Sequence, residues 1–215
     1  MIIRTLVTCA AIALLFPLAA GAVTNEEFVH AATFEKNDVL RQGLEEGRDV
    51  NATDRFGNTV LALTAFDGND EMVRLLLDRG ADVNKAATDG STALMLAAQR
   101  GELSTVSILI DAGANLELRN TSKETALLVA ISADEFEIAK RLVDAGANVN
   151  VANIQKRSAL LIAKKSLDMV RYLVEHGADV DATELHGGTT TLNYLKRSDD
   201  YADVVEYLES RGAHE

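Results

Sequence analysis

The chain has 215 residues, the usual size of one domain, and 47% of them are apolar, which is enough for a packed core. Aromatic residues make up only 5% and Trp is absent, so the core is expected to consist mainly of Leu, Ala, Val and Ile. The formal net charge of −12 disfavours binding to nucleic acid and to anionic membrane surfaces, because both carry dense negative charge.

The amino-terminal segment differs from the rest of the chain. Arg4 supplies a positive charge, an apolar run follows, and Ala20-Gly-Ala22 ends it with the small-x-small pattern of a signal-peptidase site. The run is short for a membrane span of roughly 20 residues. Residues 1–22 are therefore predicted to be a signal peptide. Residues 23–215 are predicted to form a soluble monomeric domain without stable membrane association.

The only Cys, Cys9, lies inside this predicted leader. The exported domain is therefore expected to lack a thiol and a disulfide, which excludes the small disulfide-stapled secreted class. A cysteine-free acidic domain behind a simple leader fits the bacterial periplasm best, with secretion as the less favoured alternative. Asn51-Ala-Thr53 and Asn120-Thr-Ser122 would be glycosylation acceptors in a eukaryotic secretory pathway, so that route stays open.

Two short markers recur in step along the exported domain. The first is a Gly that opens an Asp/Asn-rich stretch, at intervals of 33, 33, 33, 31 and 35 residues: Gly47, Gly80, Gly113, Gly146, Gly177 and Gly212. The second is a Thr or Ser followed two residues later by Leu, at Thr59, Thr92, Thr125, Ser158 and Thr190. Chance does not keep two markers in phase over five copies, so the chain is predicted to be a repeat protein.

Each copy predicts the same local structure. The Thr or Ser is expected to cap a short first helix, as Thr92 would before Leu94-Met-Leu-Ala-Ala98. A Gly-containing turn and a second helix follow, and the marker Gly ends that helix in a left-handed conformation. Leu94 and Leu127 are predicted to be buried at the centre of the stack.

These residues resemble a known family, the ankyrin repeat. The resemblance rests on Asp54-Arg-Phe-Gly-Asn-Thr-Val-Leu61 and on Gly80-Ala-Asp-Val-Asn84. It implies an all-α solenoid of stacked helix-turn-helix units with short hairpin loops, in six copies: 24–52, 53–85, 86–118, 119–151, 152–182 and 183–215.

The chain departs from the family pattern at several positions. The Pro and His of the family's Thr-Pro-Leu-His box are missing from every copy, and because that His joins neighbouring hairpins, those connections are expected to be weaker here. Asp134 replaces the Gly between two helices, and the copy containing Ala163 to Asp168 lacks two residues there. The first copy has Phe28-Val-His-Ala-Ala32 in place of the box, as expected for a capping repeat.

A search for reactive groups predicts no enzyme, no metal site and no cofactor. The four His, namely His30, His176, His186 and His214, fall in different places without the spacing of metal ligands. Asp199-Asp200 is expected to be a solvated turn. The acids beside the second helices are expected mainly to keep the array soluble, with attraction of a basic partner as the alternative; they are Asp70, Glu71, Asp78, Glu102, Asp111, Glu135, Glu137, Asp144, Asp168 and Glu175.

The family grips other proteins with its hairpin tips and first helices, on a concave surface. Carried over position by position, this implies a protein-binding site at Arg55, Phe56, Asn58, Leu63, Phe66, Thr88, Asp89, Ser91, Gln99, Arg100, Ser122, Glu124, Ile154 and Arg157, with Thr121, Val129, Gln155, Leu185 and His186 on the same surface. Phe56, Ile154 and Leu185 stand out as anchor candidates, because a tip needs no large apolar group. Most of the binding energy is expected to come from Phe56 and Phe66, an aromatic pair on adjacent parts of one repeat, supported by Arg55 and Arg100.

Two functions fit this sequence. The first is a periplasmic protein that restrains or protects another exported protein, since similar exported ankyrin proteins of bacteria include antagonists of a toxic periplasmic hydrolase. The second is an accessory factor of a haem catalase in oxidative defence, a role of other bacterial ankyrin proteins of this size. The identity of the adjacent gene would separate them.

Overall fold

The computed structural model describes residues 22–184 and 188–214, which form a stack of helix pairs. Their helices in chain order are α1 (Asn25–Thr33), α2 (Asn37–Glu45), α3 (Val60–Phe66), α4 (Asp70–Asp78), α5 (Ala93–Arg100), α6 (Leu103–Asp111), α7 (Ala126–Ser132), α8 (Phe136–Asp144), α9 (Ala159–Ile162), α10 (Leu167–Glu175), α11 (Thr191–Leu195) and α12 (Ala202–Ser210). Odd-numbered helices are the first helices of their repeats, and even-numbered helices are the second. A 3₁₀ helix, Asp199–Tyr201, precedes α12.

The all-α solenoid predicted from the sequence is confirmed. The first helices pack against one another along the stack, and the second helices form a neighbouring row. Strand structure is limited, in the part of the chain described, to the pair β1 (Thr183–Glu184) and β2 (Thr189–Thr190) and to isolated bridges at two hairpin bases. Within the same part, no helix has the length and apolar character needed to cross a membrane.

Hydroxyl caps start the first helices, as predicted. The Thr59 hydroxyl oxygen accepts a hydrogen bond from the backbone N–H of Ala62 at 3.0 Å, and the four equivalent caps are Thr92, Thr125, Ser158 and Thr190. In the first repeat, Thr24 and Glu27 form a reciprocal capping box, and the bonds from Thr24 lower the pKa of the Glu27 carboxyl. Because each cap satisfies an otherwise unpaired N–H group, the helix starts are fixed locally.

Left-handed residues end the helices. Gly80 has φ 84°, and the other marker glycines also have positive φ. Asp134, at the position of an inter-helix Gly, is forced into the same region with φ 64°. The two-residue deletion in the fifth repeat leaves α9 with only four residues, so this repeat has a shortened first helix.

The core is a continuous layer of Leu, Ala, Val and Ile between the two rows of helices. Leu94 is 1% exposed and Leu127 is 0% exposed, so both are buried as predicted. Ala93, Ala97 and Ala98 on α5 are also buried, and their small side chains allow α3 and α7 to approach closely on either side. Each repeat therefore completes its core only with its neighbours.

A ladder of side chains joins successive repeats beside the marker glycines. The Asn51 side-chain oxygen accepts a hydrogen bond from the backbone N–H of Asp82 at 2.8 Å. Asn84, Glu117, Asn150 and Asp181 accept the equivalent bond from the next repeat. The sequence predicted only turn chemistry here, whereas the structure shows that these residues fix the register of one repeat on the next.

The acids of the second helices have a structural role beyond solubility. Three accept hydrogen bonds or ion pairs from the following repeat: Asp70 from Thr105 at 2.6 Å, Asp111 from Arg141 at 2.8 Å and Asp144 from Tyr172 at 2.5 Å. Glu71 pairs with Arg41 of the preceding repeat. Burial and the bond to Asp144 raise the pKa of Tyr172 to about 12, so the Tyr172 hydroxyl keeps the proton that it donates to Asp144. These four acids therefore also connect neighbouring repeats, a role that the sequence did not predict.

Candidate protein-binding surface

The first complete hairpin tip is held by a single carboxylate. Asp54 Oδ1 accepts hydrogen bonds from the backbone N–H groups of Phe56 at 2.8 Å and Asn58 at 2.9 Å. The Asn58 amide donates a further bond to Asp54 Oδ2 at 2.9 Å. This closed Asx turn leaves Phe56 58% exposed, so an aromatic residue projects from a rigid loop.

The tip of the fifth repeat is built in the same way. Asn153 Oδ1 accepts hydrogen bonds from the backbone N–H groups of Gln155 at 3.0 Å and Arg157 at 3.1 Å. Ile154 is 51% exposed on this tip. Two of the three predicted apolar anchors are therefore in solvent, while the third, Leu185, lies outside the described residues together with His186.

Backbone hydrogen bonds join neighbouring tips. The N–H of Thr88 donates to the carbonyl of Phe56 at 2.9 Å, that of Thr121 to Asp89 at 2.8 Å, and that of Ile154 to Ser122 at 2.7 Å. Although the family's His is missing, the hairpins are thus connected by bonds that need no side chain. A Cβ on Gly57 would lie 2.9 Å from the Thr88 nitrogen, so glycine permits this close approach.

Two arginines cover the two phenylalanines of the second repeat. The guanidinium carbon of Arg55 lies 4.7 Å from the centroid of the Phe56 ring. That of Arg100, on α5, lies 4.8 Å from the centroid of Phe66 at the end of α3. The two rings do not contact each other, so each forms a separate aromatic–cation unit with apolar area and positive charge side by side.

The predicted site residues differ in how exposed they are to solvent. Eight are exposed: Arg55, Phe56, Thr88, Asp89, Gln99, Arg100, Ile154 and Arg157. Five are half-buried: Asn58, Leu63, Phe66, Ser122 and Glu124. Ser91 is only 9% exposed, and its hydroxyl donates to Asp89 Oδ2 at 2.9 Å. Ser91 therefore holds the tip in shape and presents little surface of its own.

Two adjoining grooves run between the tips and the first helices. The first, of about 300 Å³, is lined by Asp89, Ser91, Met95, Leu96, Gln99, Asn120, Glu124, Val129, Ser132 and Ala133. The second, of about 340 Å³, is lined by Glu124, Ser132, Asn153, Gln155, Arg157, Leu161, Ile162, Lys164 and Tyr194. We call the tips, the exposed side of the first helices and these grooves the hairpin face. It brings Asp89, Gln99, Glu124 and Arg157 along one groove system, whereas Phe56 and Phe66 lie outside it.

Sequence reasoning missed Lys164 and Tyr194 on this face. Tyr194 is the fourth residue after the cap Thr190, the position that Leu63 occupies relative to Thr59, so the repeat register could have identified it. Lys164 follows the shortened helix α9, where the two-residue deletion disturbs that register.

Nothing in the described ranges gathers reactive groups into a site. No group of three or more His, Cys, Asp and Glu there could hold a metal ion. His30 packs its ring on Phe34, and His176 contacts the Tyr172 carbonyl oxygen through Nδ1 at 2.7 Å. The backbone N–H of His214 donates to the Asp181 carboxylate, and the His214 ring pairs with the same group. Both contacts hold the pKa of the Asp181 carboxyl below its usual value.

Comparison with known proteins agrees with this architecture. A family profile described as Ankyrin repeats (3 copies) matches residues 28–120 and 115–184, which is more than half of the chain. A comparison with curated proteins finds no match. The profile covers most of the stacked repeats, including the hairpin tips described above. The chain therefore belongs to the ankyrin-repeat family.

Proposed function

We propose that this protein is a non-enzymatic binding module of the bacterial periplasm that restrains or protects another exported protein, such as a toxic hydrolase. Ankyrin repeats are protein-interaction modules, which supports the binding function, and the partner is proposed to bind the hairpin face. The export step rests on Arg4, the apolar run and Ala20-Gly-Ala22, which lie largely in residues that the structure does not describe.

One observation carries the binding function: Phe56 is 58% exposed on a tip whose shape is fixed by Asp54. Ordering a loop on binding costs free energy, and a preformed turn avoids that cost. An aromatic ring beside a guanidinium group is also the composition typical of an interface hot spot. Phe56 and Arg55 therefore offer a rigid anchor that contributes nothing evident to the repeat core.

Affinity capture tests this function. The purified protein, immobilised and exposed to a periplasmic extract, is expected to retain one exported protein, identified by mass spectrometry. The Phe56→Ala variant is expected to retain much less of it. A captured hydrolase would support the restraining role, and a haem catalase would replace it with the accessory role. Equal capture by both variants would remove Phe56 from the site.

The export proposal has its own test. Amino-terminal sequencing of the protein from fractionated cells is expected to begin at Val23, in the soluble periplasmic fraction. Val23 is buried, and its backbone N–H donates to Glu46 Oε2 at 2.7 Å, so a chain starting there can still seat its first residue in the core. An intact Met1 in the membrane fraction would contradict the proposal.

A further inference from the structure

The positive charges of the hairpin face are concentrated in one repeat. Residues 151–167, which include the tip of the fifth repeat and α9, contain four basic residues and no acidic one. The equivalent stretch one repeat earlier, residues 118–136, contains two basic and three acidic residues. In a chain with formal net charge −12, this concentration makes one end of the hairpin face positive.

Three of these four basic side chains form no ion pair within the described residues. Lys156 and Arg157 are exposed on the tip, and Lys165 is exposed just after α9. Across residues 22–184 and 188–214, the ion pairs involve none of these three side chains. Their positive charges are therefore free to attract an external anion.

The fourth cation, Lys164, is held in place by aromatic rings. Its Nζ lies 4.7 Å from the centroid of the Tyr194 ring and 5.2 Å from that of Tyr201, and 3.4 Å from the Tyr194 hydroxyl oxygen. Such contacts orient an ammonium group without neutralising it. Lys164 lines the groove of about 340 Å³ together with Arg157 and the half-buried Ile162.

Two lysines occupy a tip position that is glycine in the preceding tips. Lys156 has φ 57° and Lys123 has φ 58°, whereas the two preceding tips have Gly57 and Gly90 at the equivalent position, with φ 82° and 80°. A residue with a Cβ is strained in this region, and glycine is not.

We propose that a basic groove, lined by Arg157, Ile162, Lys164 and Tyr194, binds a short acidic segment of the partner protein, with the exposed Lys165, next to Lys164 in the chain, adding positive charge. Carboxylates of the segment pair with Arg157 and Lys164, and an apolar side chain packs on Ile162 and Tyr194. This inference rests on the proposed protein-binding function. It specifies the chemistry of the partner at the end of the hairpin face remote from Phe56.

The surroundings favour a short acidic segment over a longer polyanion. The basic part of the hairpin face is short, because Glu124 lies where the two grooves adjoin and Asp89 lines the neighbouring groove. A nucleic acid or an anionic membrane would extend beyond the groove and meet this negative charge. An extended peptide fits within the groove. There the planar guanidinium group of an arginine can form two parallel hydrogen bonds with a carboxylate.

The test uses two fluorescent peptides of equal length, each with a central Leu-Tyr pair flanked by Glu in one and by Gln in the other. The Glu peptide is expected to bind about tenfold more tightly by fluorescence anisotropy, and its advantage is expected to shrink as salt shortens the range of the charges. Reversing two exposed charges, Arg157→Glu with Lys165→Glu, is expected to abolish the preference. The matched double variant Arg74→Glu with Arg79→Glu, exposed on the second-helix side, is expected to retain it.

Equal affinity for the two peptides, or an unchanged preference in the Arg157/Lys165 variant, would overturn the inference. So would tighter binding to a single-stranded oligonucleotide or to phosphatidylglycerol vesicles than to the Glu peptide. The underlying protein-binding function is tested separately, by partner capture. If Phe56→Ala reduces partner capture while the peptides show no preference, protein binding stands and only the acidic segment is wrong.

Discussion

Replacing Leu94 with alanine is expected to lower the free energy of unfolding by about 2–5 kcal/mol. Leu94 is 1% exposed on α5, the first helix of a central repeat that packs against both α3 and α7. The substitution removes buried apolar area and leaves a cavity, and the helices on either side are held by their own caps and cannot close it fully. Because each repeat is stabilised by its neighbours, the loss reaches beyond one repeat.

Leu103→Ala is the matched control for this prediction. Leu103 begins the neighbouring helix α6 and is 40% exposed, so its truncation is expected to change the free energy of unfolding by no more than about 0.5 kcal/mol. Urea denaturation followed by circular dichroism compares the two variants with the unmodified protein. An unchanged midpoint for Leu94→Ala would show that the repeat register is wrong.

Replacing Phe56 with alanine is expected to weaken partner binding by roughly 2 kcal/mol or more, about thirtyfold, while folding stays nearly intact. The ring is 58% exposed and contributes little to the core, whereas Asp54 and Asn58, which fix the tip, remain in place. The variant also removes the ring that Arg55 covers at 4.7 Å, so the guanidinium loses its support. Calorimetric titration with the captured partner measures the affinity, and thermal unfolding of the free variant checks the fold.

Much of the fold could be predicted because the repeat encodes it locally. A hydroxyl before each first helix and a glycine after each second helix are local signals, and Thr92 and Gly80 behave as their chemistry requires. The burial of Leu94 and Leu127 follows from the same register. The replacement of an inter-helix Gly by Asp134 was also visible in the sequence, and Asp134 has the positive φ of that position.

The contacts between repeats could not be predicted, because they depend on how far one repeat is displaced from the next. In the sequence, Asn84 and Glu117 are ordinary turn residues. In the stack, each accepts a hydrogen bond from a backbone N–H of the next repeat. For the same reason Asp70 and Asp144 looked like surface charges, although each binds the next repeat.

The candidate site was predictable in outline and less so in detail. The exposure of Phe56 and Ile154 follows from the tip positions. Ser91 is buried at the base of its tip and bonds to Asp89, and the place of Lys164 follows from the two-residue deletion that leaves α9 with four residues. Neither depends on residue type alone, so both needed the three-dimensional arrangement.

The most direct test of a binding surface on the hairpin face compares Phe56→Ala with Glu137→Lys by calorimetric titration against the captured partner. Glu137 is exposed on α8, on the opposite layer, where it pairs with Lys140 at 3.4 Å. Charge reversal there is expected to change affinity only slightly, through a salt-dependent association rate, while Phe56→Ala weakens binding about thirtyfold. If Glu137→Lys abolishes binding and Phe56→Ala does not, the partner binds the acidic second-helix side, and the hairpin face is not the site.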